Sequence, residues 1–263
     1  ALVKESYKNP IKTFQSNSLG TLNLLLASKQ SKKLKAIVMI TSDKVYKNLE
    51  IKRGYREDDI LMGNDPYSAS KSCAEIIINM YLKSYFKKNI NICVARAGNV
   101  IGGGDWSDNR LIPDAIKSIN KNKTIILRNP NFNRPWQHVL EPLYGYLMLA
   151  YNLHKSKKTF SGSWNFGTNK NTITSVEEVI KKIIFFWGSG NYKTTNKKKY
   201  YEQENLQLNI YKAKKILKWK PRLSINKSIK LTVEWYKSIL DYREKYEKVT
   251  ENQIREFLNV KSL

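Results

Sequence analysis

Apolar positions recur at helical spacing through 17–30 (NSLGTLNLLLASKQ) and give way to a short continuous apolar run at 34–40 (LKAIVMI). The first pattern predicts an amphipathic helix and the second a strand buried on both faces, so a helix leads into a central strand. A polar loop, 47–65, follows. Pro66 then opens a long amphipathic helix reaching about Lys87, because proline is tolerated in a first helical turn, where its N–H is not needed. The run 90–97 (INICVARA) is again a buried-type strand.

Beyond it lie Gly102, Gly103, Gly104, Asp105 and Trp106, a helix at 112–120 and a short strand at 124–128, which together read as a loop-rich insertion. A helix at 141–154 and a small strand at 163–166 come next. Ser175 and Glu178 have the spacing of a capping box and start a helix over 176–187. Residues 193–203 read as a polar, flexible loop, and 210–217 and 225–240 as terminal helices. No internal repeat is visible. The alternation of helix and strand predicts an α/β fold, a doubly wound parallel sheet covered on both faces, with ligands at the carboxyl ends of its strands.

Composition narrows the class. At 263 residues the chain can form one large domain or two ordinary ones. With 41% hydrophobic and 26% charged residues it is of ordinary globular composition. No apolar run approaches the roughly 18 residues of a membrane span. Cys73 and Cys93 show neither a disulfide framework nor metal-ligand spacing, so no metal is expected and a reducing cytoplasm fits. The formal charge of +25 would suggest nucleic acid if it lay in arginine-rich stripes. Only nine of the 47 basic residues are Arg, and Lys is spread throughout, so we read solvated lysine-rich faces that attract anionic substrates, with no nucleic-acid partner.

A Tyr-x-x-x-Lys spacing puts both side chains on one helix face, where the ammonium makes the phenol a usable acid/base. Sixteen tyrosines among so many lysines produce about two such pairs by chance. The chain has three: Tyr67/Lys71, Tyr151/Lys155 and Tyr211/Lys215. Context separates them, since only Tyr67 opens a helix that follows a buried strand ending in Thr41, Ser42, Asp43 and Lys44. The other two pairs read as solvated helix faces.

These residues resemble the extended short-chain dehydrogenase/reductases that modify nucleotide sugars, and the likeness runs over nearly the whole chain. It rests on Asn17 with Gly20-Thr21 and Leu24-Leu25, on Thr41 to Tyr46, on Pro66-Tyr67-Ser68-x-Ser70-Lys71 and on Arg96 to Gly102. Within that family the chain is most similar to the CDP-glucose 4,6-dehydratase group. The marks are Asp43-Lys44, where dTDP-sugar dehydratases carry Asp-Glu, the run Gly102 to Trp106, and Arg134-Pro135-Trp136-Gln137-His138 to Leu143.

The resemblance implies a Rossmann fold, NAD as cofactor, CDP-glucose as substrate, a role in O-antigen biosynthesis and, if full-length, a homo-oligomer. Tyr67, supported by Lys71, removes the C4 hydroxyl proton while hydride leaves C4 for NAD. Asp43 is the acid that helps the C6 hydroxyl leave, Lys44 the base at C5, and Ser42 a hydrogen-bond donor to the sugar. An ordinary solvated lysine is the alternative for Lys44. Tyr67, Lys71, Thr41 and Arg96 are implied at the cofactor; Ser42, Asn99, Arg134 and His138 at the substrate. A structural salt bridge is the rival for Arg134, and a satisfied polar residue the rival for His138. Trp106 and Trp136 either stack on the base or pack.

Residues 1–98 are expected to form the C-terminal part of the NAD-binding domain, without its first strands and glycine-rich loop, and 99–263 a substrate-binding region from which 139–166 returns to the sheet. The chain holds no Gly-x-x-Gly-x-x-Gly turn and begins at Ala1. We therefore expect an N-terminally truncated polypeptide that alone neither binds NAD tightly nor turns over. Rival readings are a sister dehydratase or epimerase, a basic nucleic-acid-binding module, or a non-catalytic partner.

Overall fold

A computed structural model describes residues 2–49, 53–86, 90–155, 158–169, 173–195 and 206–259. Two short helices, α1 (Val3–Lys8) and α2 (Pro10–Phe14), run through one π turn (Gln15–Leu19) into α3 (Gly20–Gln30). Then come β1 (Ala36–Ile40), α4 (Pro66–Ser84), β2 (Asn91–Ala97), β3 (Val100–Ile101), α5 (Leu111–Asn120), β4 (Ile125–Leu127), β5 (Asn133–Pro135) and β6 (Gln137–His138). The chain continues through α6 (Leu140–His154), β7 (Gly162–Phe166), β8 (Ile173–Ser175), α7 (Val176–Trp187), β9 (Tyr192–Thr194), a second π turn (Ala213–Leu217), α8 (Ile225–Leu240) and α9 (Tyr246–Asn259). Among the described residues no helix is long and apolar enough to cross a membrane.

The elements form two compact units. The first gathers Ala1–Gly98, Pro142–Gly167 and Leu206–Trp219; the second gathers Asn99–Glu141, Thr168–Asn205 and Lys220–Leu263. The sequence reading left 206–219 with the second region. Its Ala213, Leu217 and Trp219 instead bury themselves in the core of the first unit, beside Trp164 and Phe166.

The first unit is a parallel sheet in the order β1-β2-β7, with helices on both faces. Successive side chains of a strand point to opposite faces, and β2 divides its residues accordingly. Ile92 and Val94 join Leu25, Met39, Ile78 and Tyr81 on the side of α3 and α4. Cys93 and Ala95 join Leu149, Leu153 and Trp164 on the other. Such two-sided burial is why 90–97 reads as an unbroken apolar run. β1 departs from its expectation: it lies at the edge of the described sheet, only Met39 of its five residues is buried, and Ile40 is 52% exposed.

Helix α4 starts where the sequence predicts. Asp65 accepts from the backbone N–H groups of Tyr67 and Ser68, both at 3.0 Å, and the Ser68 hydroxyl accepts from Asp65 N at 3.0 Å. This reciprocal cap satisfies helix-end donors that would otherwise lack partners. The helix ends at Ser84, short of Lys87, which lies outside the described residues.

In the second unit, Ile112, Ile116 and Ile119 of α5 pack with Leu127 of β4, Val179 and Ile183 of α7, and Val233 and Tyr236 of α8. Three strand pairs frame this core: β3 with β6 and β4 with β9, both parallel, and β5 with β8, antiparallel. The Ser175–Glu178 capping box forms, and Gly188 ends α7 with φ at +92°. The expected loop at 193–203 is partly corrected, because Lys193 and Thr194 pair with Ile126 and Leu127; residues 196–203 lie outside the described residues. The 210–217 helix becomes a π turn closed by Lys218 in the left-handed region.

Gly103 has no room for a side chain, since an added Cβ would lie 2.1 Å from the Trp235 ring. Gly103→Ala is expected to push Trp235 off its seat and lower stability by about 1–3 kcal/mol, the usual range for overpacking a well-filled core. Urea denaturation measures it, and a change within about 0.5 kcal/mol contradicts the packing described.

Candidate active site

The polar turn at the end of β1 is built by its own side chains. Ser42, in extended backbone, caps a single 3₁₀ turn over Asp43–Val45 by accepting from Lys44 N at 3.3 Å. Its hydroxyl donates to Asp43 Oδ1 at 3.0 Å, and Lys44 Nζ lies 3.0 Å from the same oxygen. The Asp43 side chain is 1% exposed against 32% for that of Lys44. Asp43 Oδ2 is buried without a hydrogen-bond partner and faces Gly98, where an added Cβ would come within 1.9 Å of it. Burial raises the pKa of the Tyr146 phenol on α6, and the charge of Asp43 adds to the effect.

Helix α4 is fastened to this turn. Ser72 donates to Val45 O at 3.0 Å, and Lys71 Nζ lies 3.4 Å from Ile40 O. Burial lowers the pKa of Lys71, and the carboxylate of Glu75 one turn later opposes that shift. Of the three Tyr-x-x-x-Lys pairs, Tyr67 is 6% exposed, whereas Tyr151 and Tyr211 are 63% and 64% exposed. In those two pairs the lysine folds over its own tyrosine ring, at 5.6 and 5.4 Å from the centroid.

Thr41 and Arg96, expected at the cofactor, are engaged inside the unit. Thr41 donates to Glu75 Oε1 at 2.5 Å. Arg96 uses all five of its N–H donors: Nε and one terminal nitrogen on Glu75, with further bonds to Tyr46 Oη at 2.5 Å, Glu57 O at 3.0 Å and Ser163 Oγ at 3.0 Å. A guanidinium has no sixth donor, so Arg96 as placed has none left for a ligand. Strand alternation explains the placement, because Thr41 shares the face of Met39 and Arg96 that of Ile92 and Val94, toward α4. Burial works against the charge on Arg96, yet Glu75 and Tyr46 together hold its pKa above the ordinary arginine value.

Glu75 was not picked out from sequence. The signal was available, since Tyr67, Lys71 and Glu75 follow at four-residue steps along one helix face.

The second unit carries Asn99, Arg134 and His138. Asn99 adopts φ +50°, its carbonyl accepts from Gln137 N at 3.1 Å, and its Nδ2 is buried without a partner. His138, 1% exposed and paired in register with Ile101, accepts from Leu140 N at Nδ1 over 3.4 Å and leaves Nε2 without a partner. Burial pushes its pKa down to about 4. Arg134, 9% exposed, bonds Asn133 O at 3.2 Å and lies 5.2 Å from the Phe132 ring centroid. Trp106, 43% exposed, stands edge-on to Tyr236 at 5.1 Å, and Trp136 donates to Thr174 O at 3.2 Å. Glu141, which the sequence did not single out, accepts from Arg222 N and Leu223 N at 2.7 and 2.6 Å. Burial raises its carboxyl to about 7. Among the described residues no group of three or more His, Cys, Asp or Glu side chains is placed to hold a metal.

The chain as a whole is similar to several known proteins. The CDP-glucose 4,6-dehydratase of Salmonella typhimurium is 41% identical over 244 residues, covering 90% of this chain and 68% of that protein. The dTDP-D-glucose 4,6-dehydratase of Dictyostelium discoideum is 28% identical over 69% of this chain and 42% of its own length. Among solved structures, the dTDP-glucose 4,6-dehydratase of Bacillus anthracis in complex with NAD superposes with a TM-score of 0.71 at 26% identity, over 87% of this chain and 70% of that one. The Thermotoga maritima UDP-glucose 4-epimerase, at 20% identity over 91% of this chain and 75% of that one, shares the fold with a TM-score of 0.77. The family model described as GDP-mannose 4,6 dehydratase matches residues 1–232, from before the polar turn to within α8, and the chain belongs to that family.

Proposed function

We propose that the protein catalyses the 4,6-dehydration of CDP-glucose to CDP-4-keto-6-deoxyglucose, with NAD as its cofactor. The observation that carries this reading is the buried Asp43 carboxylate, held between Ser42 and Lys44 on a turn bonded directly to the helix of Tyr67 and Lys71. The 41% identity to a named CDP-glucose 4,6-dehydratase supports both reaction and nucleotide. The first unit is proposed as part of the NAD-binding domain and the second as the substrate-binding region. Our reading of the setting is a cytoplasmic enzyme of nucleotide-sugar metabolism that works as a homo-oligomer when full-length. The free thiols of Cys73 and Cys93 suit a reducing compartment.

The residues present fit the reactive end of the cofactor only in part. Tyr67 and Lys71 would hold the nicotinamide riboside, whereas Arg96, with every donor engaged, would not. When bound, NAD supplies a reversible hydride acceptor.

The chain's own residues move the protons. Tyr67 takes the C4 hydroxyl proton at Oη, and the nearby Lys71 ammonium stabilises the phenolate. Lys44 Nζ and Asp43 Oδ1 lie 3.0 Å apart, and in the proposed cycle a proton moves from Nζ to the carboxyl, leaving a neutral amine and a neutral acid. Lys44 then removes the C5 proton while Asp43 protonates the departing C6 hydroxyl, which restores ammonium and carboxylate. Lys44 later returns its proton to C5. Relative to the starting ion pair, Tyr67 has then gained one proton and Lys44 has lost one, and passage of that proton from Tyr67 to Lys44 resets the site. Ser42, Asn99, Arg134 and His138 are proposed to contact the substrate. Arg134 supplies the positive charge for the diphosphate, because His138 is neutral above about pH 4 and acts only as a hydrogen-bonding group.

Incubation with NAD and CDP-, dTDP- or UDP-glucose, followed by NMR, tests the assignment. Any product is expected to be a 4-keto-6-deoxy sugar, with CDP-glucose giving the strongest saturation transfer from protein to ligand; a C4 epimer as product contradicts the reaction, and equal binding of all three contradicts the base. The same tube tests whether this chain alone turns over. Tyr67→Phe is expected to cut kcat by at least about 100-fold.

Gly98→Ala drives a methyl into Asp43 Oδ2. It is expected to lower kcat about 100-fold with KM within about threefold, as a displaced acid group predicts.

Stability against pH separates His138 from Glu141. Folded His138 refuses a proton down to about pH 4 while the unfolded imidazole takes one below 6.5, so its contribution is lost as pH falls through that window. Folded Glu141 keeps its proton up to about pH 7 while the unfolded carboxyl loses it near 4.5, so its contribution is lost as pH rises. Between pH 4.5 and 6.5 the two oppose each other. Relative to wild type, His138→Gln is expected to give stability that falls with rising pH there, and Glu141→Gln stability that rises, each by up to about 1.4 kcal/mol per pH unit. Urea titrations at five pH values decide it.

A further inference from the structure

We propose that Glu75 is a positioning residue of this site, its carboxylate gripped by Arg96 so that it fixes the Thr41 hydroxyl at the root of the polar turn and presents a negative charge one helical turn from Lys71. The inference rests on the reading of Tyr67, Lys71, Asp43 and Lys44 as the reacting groups.

Glu75 is fully buried, and its two oxygens are shared among three donors. Oε1 accepts from Thr41 Oγ1 at 2.5 Å and from Arg96 Nε at 2.8 Å, while Oε2 accepts from the Arg96 fork. A bidentate guanidinium pairing leaves a carboxylate little rotational freedom, so the third bond, to Thr41, is made at a fixed point. Thr41 is followed directly by Ser42, Asp43 and Lys44, and its own N–H is fixed to Ala95 O at 3.0 Å. The start of the turn is therefore held from β2 by its backbone and from α4 by its side chain.

The same carboxylate acts on Lys71 through space. Lys71 sits on α4 four residues before Glu75, with Ile40 O as its contact from β1 at 3.4 Å. Burial favours the neutral amine, and the charge of Glu75 favours the ammonium. A phenolate at Tyr67 needs that ammonium. The ionisable groups meeting Glu75 from the packed elements are Arg96 from β2 and, through Arg96, Tyr46 from the polar turn. Farther along the same network, burial raises the pKa of Glu57 and lowers that of Lys212, so neither supplies a simple surface charge.

A structural ion pair alone would stabilise the fold without setting the charge of Lys71. The test separates the two on the chain as it exists, using protein labelled with [ε-¹³C]lysine and the Lys71 signal identified by its loss in Lys71→Arg. Glu75→Gln is expected to lower the pH at which Lys71 titrates, and Glu75→Asp to restore it toward wild type. An unmoved Lys71 midpoint in a folded Glu75→Gln protein overturns the proposal, whatever its melting temperature. Should Glu75→Gln not fold, Thr41→Val provides the second arm, since it deletes one hydroxyl and leaves the Arg96 pair intact. Amide hydrogen exchange at Asp43 to Val45 is then expected to quicken about tenfold, as for a locally loosened segment; unchanged exchange overturns the positioning role. Neither readout requires turnover, so a failure of the dehydration reading and a failure of this one remain distinct.

Discussion

A buried arginine and a buried glutamate hold the first unit in register. Arg96 and Glu75 are 1% and 0% exposed, and two charges removed from water to that degree are tolerated only when their remaining hydrogen-bonding capacity is filled. Here the guanidinium reaches α4, β7, the loop carrying Glu57 and the turn carrying Tyr46, and Tyr46 donates its own hydroxyl to Asn165 Oδ1 at 2.7 Å. Removing one member of such a pair typically costs about 3–5 kcal/mol, because the partner is left buried and uncompensated. The polar turn and helix α4 are joined through this lattice, by Thr41 on Glu75 and by Tyr46 on Arg96.

The lattice also explains where the lysine-rich composition stops. Lysine outnumbers arginine 38 to nine, yet Arg96 and Arg222 stand where several acceptors must be met in one plane. A lysine ammonium offers three donors from one point and cannot replace a fork. Several acidic residues are likewise withdrawn from the surface, among them Asp43, Glu75 and Glu141, so the net charge of +25 overstates how basic the interior of each unit is.

Much of this was legible from the chain. The unbroken run at β2 announced a strand buried on both faces, and Pro66 and Ser175-x-x-Glu178 marked their helix starts, because those signals are local. The spacing of Tyr67 and Lys71 was not informative; their place after Thr41 to Lys44 singled the pair out from sequence, and burial, a tertiary property, sets it apart from Tyr151/Lys155 and Tyr211/Lys215 in the structure. For Arg96 the family likeness points to the cofactor, whereas its alternation with Ile92 and Val94 turns its donors toward α4. Helix α9 escaped notice since its buried positions, Val249, Gln253 and Phe257, include a polar residue that interrupts the apolar period. β9 escaped because two of its three residues are exposed and leave no apolar trace.

The cap of α4 limits how that helix can meet a ligand. The first turn of a helix ordinarily offers free N–H groups and half a positive charge to an anion. Here Asp65 already accepts from Tyr67 N and Ser68 N, and its carbonyl takes Ala69 N at 2.8 Å. The helix carries its own counter-ion. Tyr67 therefore opens a helix whose first N–H groups are already taken by its own cap, so this end of α4 offers an anion little of what a bare helix start would.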